Sequence, residues 1–205
     1  MRLIDISHVL NGNTPIYPGD YKITLQKYNS LEKDGYCSHL LSSCLHTGTH
    51  IDLPMHMLND NRFVSDFALD NFVGKGILLD VRGENPIRMK PCYKEMAAEG
   101  CVVLLYTGFD KHYRTEEYFT RHPAVSNDLA GFLLSKKIKM LGMDMPAPDY
   151  PPFSFHKALL SEDILILENL TNLHSLVDID SFEVIAFPLK ISAEASFVRA
   201  VCRID

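Results

Sequence analysis

The chain has 205 residues, a length that one core can serve without help from disulfides. Hydrophobic residues make up 46% and charged residues 22%, which excludes a disordered, collagen-like or disulfide-scaffold protein. A formal net charge of −6 with no basic run leaves no electrostatic footprint for binding nucleic acid or an anionic membrane.

The first segment, Met1 to His8, carries Asp5 inside its apolar run, so no signal peptide is expected. No stretch approaches the ~20 apolar residues of a membrane span. Leu3 to Ser7 reads as a short strand, and Ile23 to Tyr28 as another with partial alternation. Gly76 to Val81 and Cys101 to Thr107 are unbroken apolar runs ending in turn or polar residues, the pattern of strands buried on both faces. Pro91 can open a helix over Cys92 to Glu99, which Gly100 can cap. Ser126 or Asn127 can cap a second helix, Asp128 to Lys137, striped by Leu129, Phe132, Leu133 and Ile138. Met140 to Met143 is a further strand and Phe155 to Leu160 a weaker helix. Ile164 to Leu167, Phe182 to Ile191 and Ser196 to Ile204 complete the strands. The expectation is a strand-rich α/β fold forming a single domain over residues 1–205. Five cysteines (Cys37, Cys44, Cys92, Cys101 and Cys202) form an odd set without a CxxC pair, as buried free thiols do in a reducing cytoplasm.

Nine histidines are the compositional feature that leads to chemistry, and they concentrate in Leu45 to Met57. His46 and His50 are spaced as on one helix face, but Thr47, Gly48, Thr49 and Ile51 are poor helix formers and Pro54 would break the next turn. In an extended chain His46, His50, Asp52 and His56 all point one way, while Leu45, Thr47, Thr49, Ile51 and Leu53 point to the other side. Gly48 falls on the histidine face, where it leaves room for an ion, and Pro54 sets His56 apart from the other three. Two imidazoles and a carboxylate on one face make a transition-metal site with open positions; unpaired, they would be costly to bury.

The run His46-Thr47-Gly48-Thr49-His50-Ile51-Asp52-Leu53-Pro54-Met55-His56 resembles the HxGTHxDxPxH signature of the putative cyclase family, which includes bacterial kynurenine formamidases (arylformamidases) and isatin hydrolases. Other pieces are similar in the same order. They include Pro15-Ile16-Tyr17-Pro18-Gly19-Asp20, Leu105-Tyr106-Thr107-Gly108-Phe109, Ile166-Leu167-Glu168-Asn169-Leu170 and Ser196-Phe197-Val198-Arg199. The resemblance implies a three-layer β/β/α fold of the swivelling type, in a homo-oligomer such as a dimer or tetramer. It also implies two divalent ions, zinc first and manganese as the other choice. His46, His50 and Asp52 would hold one ion, His156 and Glu168 the second, with Asp52 and Glu168 bridging. His56 matches the family's proton shuttle, and Tyr17 stands where a substrate-packing Trp is common.

The implied reaction is metal-dependent hydrolysis of an aryl amide, namely N-formylkynurenine to kynurenine and formate in tryptophan catabolism. Cyclic amides or carbamates, as for isatin hydrolases, are the alternative substrates, and a non-catalytic metal-binding module is the alternative of another class. No Ser lies in a GxSxG elbow, and Gly12, Gly19, Gly74, Gly76 and Gly83 form no phosphate-cradling loop. Cys37 and Cys44 lie near His39 and His46, a weaker arrangement for a thiol nucleophile.

Overall fold

The computed structural model describes residues 1–204. Its strands are Arg2–Asp5 (β1), Thr24–Asn29 (β2), Ser38–Ser42 (β3), His50–Asp52 (β4), Val73–Asp80 (β5) and Val102–Tyr106 (β6). Met140–Met143 (β7), Leu165–Glu168 (β8), Phe182–Ile185 (β9), Ala195–Phe197 (β10) and Val201–Ile204 (β11) follow. The α-helices are Leu31–Asp34 (α1), Tyr93–Met96 (α2), Glu117–Thr120 (α3), Asn127–Ser135 (α4) and Ser154–Ser161 (α5).

Nine strands join one mixed sheet in the order β1-β11-β9-β5-β6-β7-β8-β4-β10. Neighbours from β5 to β8 run parallel, and every other pairing is antiparallel. β6 is buried at all its positions, as its unbroken apolar sequence requires. Its side chains divide with the period of two. Val103 and Leu105 pack with Leu129 and Leu133 of α4 and Leu159 and Leu160 of α5. Val102 and Leu104 pack on the other side with residues from far along the sheet, including Ile4 of β1, Ile51 of β4 and Cys202 of β11. The sheet therefore curls so that its two ends share one core, and the helices form a third layer outside it. Gly142 of β7 is required at this closure, because an added Cβ would lie 2.5 Å from Leu104 Cδ2.

Several expectations change in extent. The helix expected over Cys92 to Glu99 is only α2, and the strand expected to reach Ile191 ends at Ile185, before Pro188, which cannot donate to a ladder. Ser196 to Ile204 divides into β10, paired with β4, and β11, paired with β9 and β1. The hairpin β2–β3 stands apart as a two-stranded sheet that leaves Tyr28, Leu40 and Leu41 exposed. All five cysteines are unpaired, but only Cys101 and Cys202 are buried, which corrects the reading of five buried thiols. No helix among the described residues is long and apolar enough to cross a membrane.

Candidate active site

The histidine motif adopts three conformations in succession. Residues 45–49 form a turn, His50–Asp52 is the extended β4, and Pro54–His56 is a 3₁₀ turn with the proline at its start. The alternation expected from His46 to Asp52 thus holds only within β4. Gly48 does not face the cluster as expected. It sits at φ +70°, and a Cβ there would meet Leu10, Thr14 and the Tyr113 hydroxyl. This left-handed turn, not an extended backbone, carries His46 back over the strand.

β4 lies between β8 and β10, with His50 opposite Glu168 and Asp52 opposite Ala195. Ile51 and Leu167 enter the core inside the curl, while Ile166 packs on the helix side. His50, Asp52 and Glu168 therefore project towards the helices. There α5 brings in His156, and its first turn is held by Asp149, whose carboxylate accepts the Phe155 N–H at 2.8 Å.

These side chains converge on Asp52. Its Oδ1 lies 2.8 Å from His46 Nδ1 and 3.3 Å from His50 Nε2, and its Oδ2 lies 3.4 Å from His156 Nε2. Glu168 closes the ring at 3.5 Å from His50 Nε2 and 3.9 Å from His156 Nδ1. His56 stacks at a tilt on His46 with ring centroids 4.0 Å apart. The closest donor sets are His46–Asp52–His56 and His50–Asp52–Glu168, and they share Asp52.

Two contacts orient the imidazoles. The Gly48 carbonyl can only accept, so His50 Nδ1 carries the hydrogen it donates at 2.8 Å, and Nε2 is left with a free lone pair towards the cluster. His46 turns Nδ1 to Asp52 and Nε2 to Glu194 Oε1 at 3.3 Å. Behind the site the Tyr118 hydroxyl donates to Asn169 Oδ1 (2.8 Å), and the Thr49 hydroxyl donates to the Asn169 carbonyl (2.6 Å). Asn169 itself sits at φ 55°, pinned beside Glu168.

The electrostatics are those of a site that holds protons where it could hold cations. Burial pulls the His46 imidazole down, but the Asp52 charge and the hydrogen bonds to Asp52 and Glu194 outweigh it and hold His46 at about 11. Burial pushes Asp52 up, yet the neighbouring His46 and His50 keep it well below the usual carboxylate range. Glu168 is pushed well above that range by burial and then by the Asp52 charge. Burial, with the adjacent imidazoles, depresses His56 to about 4. Even so, His50 Nε2, both Asp52 oxygens, both His156 nitrogens and Glu168 Oε1 are buried without a hydrogen-bond partner. Orphaned polar atoms at this density are costly, and a divalent cation satisfies imidazole and carboxylate together. The donor set fits a transition metal.

The cluster floors a cavity of about 220 Å³ walled by Tyr17, Phe119, Phe153, Met57, Pro146 and Ala147. Tyr17 meets Phe119 edge-on at 5.7 Å. The wall suits a flat aromatic ring, and the floor presents nitrogen and oxygen donors to whatever that ring carries.

A family model described as putative cyclase matches residues 4–150. A kynurenine formamidase of Bacillus cereus is 36% identical over 205 residues, covering 98% of this chain and 96% of its own length. The chain belongs to the putative cyclase family. An isatin hydrolase bound to the product analogue thioisatinate superposes with a TM-score of 0.87 at 23% identity, covering 98% of this chain and 92% of that one. Isatin hydrolase A from Labrenzia aggregata superposes with a TM-score of 0.86, also at 23% identity, covering 98% and 93%. At that identity the likeness shows the family's fold, the curled sheet with an outer helix layer.

The structure brings together His46, His50, Asp52, His56, His156 and Glu168, and it places Tyr17 in the cavity wall. Sequence reasoning assigns no role to Glu194, Asn169, Tyr118, Phe119 or Phe153. Only Asn169 had a signal, its place next to Glu168 in a similar segment; the others reach the site through tertiary packing alone.

Proposed function

We propose that the chain is a metal-dependent arylformamidase that hydrolyses N-formylkynurenine to kynurenine and formate, as in tryptophan catabolism. The buried, unpartnered donors of two imidazoles, His50 and His156, and two carboxylates, Asp52 and Glu168, beneath an aromatic cavity carry this reading. The 36% identity to a kynurenine formamidase supports it.

His46, His50, Asp52, His156 and Glu168 would hold two divalent ions, zinc before manganese. Such ions polarise a carbonyl and lower the pKa of water from 15.7 towards ~7. The protein does the rest. Tyr17, Phe119 and Phe153 seat the ring so that the formamide meets the cluster. His56, uncharged at neutral pH and resting on His46, can take the proton that the attacking water releases. It then returns that proton to the aryl nitrogen as the C–N bond breaks, so water is consumed and formate and the free amine leave. The exposed apolar side chains of the β2–β3 hairpin support assembly into a homo-oligomer. The five unpaired cysteines support a reducing, cytoplasmic location, and the net charge of −6 with no basic run argues against nucleic-acid or anionic-membrane partners.

The test is metal analysis of protein purified without chelator, followed by turnover of N-formylkynurenine and isatin. Two ions per chain and chelator-sensitive hydrolysis of N-formylkynurenine are expected. Turnover of isatin alone would move the assignment to cyclic amides, which the fold likeness to isatin hydrolases favours as the second reading. Bound metal without hydrolysis of either would leave a metal-binding module.

A further inference from the structure

We infer that Asp20 selects substrates carrying an ammonium group, by pairing with that group at the mouth of the cavity. This rests on the arylformamidase reading and deepens it. No Lys or Arg lines the cavity, and Asp20 is its one charged side chain outside the buried cluster. Among the described residues Asp20 has no ion-pair partner within 4 Å, whereas Asp60, Asp80 and Asp163 are each taken by an arginine. The Asp20 N–H donates to the Tyr17 carbonyl at 3.0 Å, closing a turn through Gly19 at φ +100°. The acid is thereby held beside the ring wall of Tyr17 and Phe119.

A formamide placed on the cluster directs the other substituents of its ring towards this mouth. There an unpaired carboxylate and no cation repel an anionic group and attract a cationic one. The neighbouring Tyr17 ring adds a π face for the same charge. N-formylkynurenine carries an α-ammonium in such a side chain, and its carboxylate can turn to solvent. Isatin has no ammonium and gains nothing from Asp20. The acid therefore separates two substrate classes that the buried cluster would treat alike.

The experiment compares wild type and Asp20→Asn on N-formylkynurenine and on 2′-formamidoacetophenone, the same aryl ketone without the amino-acid group. For N-formylkynurenine the variant should raise KM about tenfold, the scale of a half-exposed charge-assisted hydrogen bond, and leave kcat within about twofold. For 2′-formamidoacetophenone neither constant should move. Equal losses on both substrates, or no change on either, would overturn the inference and leave the formamidase reading standing. If wild type hydrolyses neither, that reading falls by itself. Calorimetric titration with kynurenine and 2′-aminoacetophenone then decides Asp20 without turnover. Kynurenine should bind wild type more tightly and lose that advantage in the variant; equal affinity for the two in wild type overturns the inference.

Discussion

Glu168→Gln should stabilise the protein when it is stripped of metal and weaken it when metal is supplied. Glu168 is 5% exposed, and where no cation offsets it burial together with the Asp52 charge drives its carboxyl well above the ordinary range. The folded state then keeps a proton that the unfolded chain releases near pH 4.5. Each pH unit of that difference costs about 1.36 kcal/mol, so the burden grows as pH rises above 4.5. The sign follows: wild-type stability falls as pH rises above 4.5, and the variant lacks that slope. For a chain of this length each kcal/mol gained corresponds to roughly 2–4 °C in Tm. Thermal unfolding of chelator-treated protein at pH 5 and pH 7 measures it, with the larger difference at pH 7. Added zinc should reverse the order, since wild type keeps both carboxylates. A stripped variant no more stable than stripped wild type at pH 7 would show that this carboxylate is not buried unpaired.

Three further outcomes are expected. His56→Ala should retain the full metal content by elemental analysis and lose about 10²–10⁴-fold in turnover; a loss of metal instead would make His56 a ligand. Glu194→Ala removes the acceptor that steadies His46 Nε2, and metal affinity, read by competition with a chromophoric chelator, should fall about 10–100-fold while Glu194→Gln loses less. Tyr118→Phe strands the buried Asn169 Oδ1 and should cost about 1–3 kcal/mol in urea unfolding; an unchanged midpoint would mean that this hydrogen bond is not needed.

Strands buried on both faces were legible because burial dictates composition, and Cys101 to Thr107 and Met140 to Met143 lie within a residue of β6 and β7. β3 was not legible: Ser38-His39-Leu40-Leu41-Ser42 faces solvent on both sides, so no periodic constraint marks it. Alternation correctly put His50 and Asp52 on one face. It failed at Gly48, where the left-handed turn, not the strand period, aims His46. His156 and Glu168 had only the family resemblance to select them, since a helix laid over a strand brings them together and nothing local records that packing. Glu194 is an ordinary surface acid in the sequence, and Asp20, though it closes a family-similar segment, becomes informative only through its neighbours in space.

The donors around Asp52 come from positions 46 to 56 and from positions 156 and 168, segments that β5, β6 and β7 separate along the chain. Synthesis delivers the first group early, but the remainder emerges only after most of the polypeptide has been made. Completion of the full donor set is consequently a late step in biogenesis: a truncated product ending before α5 would carry His46, Asp52 and His56 but lack His156 and Glu168.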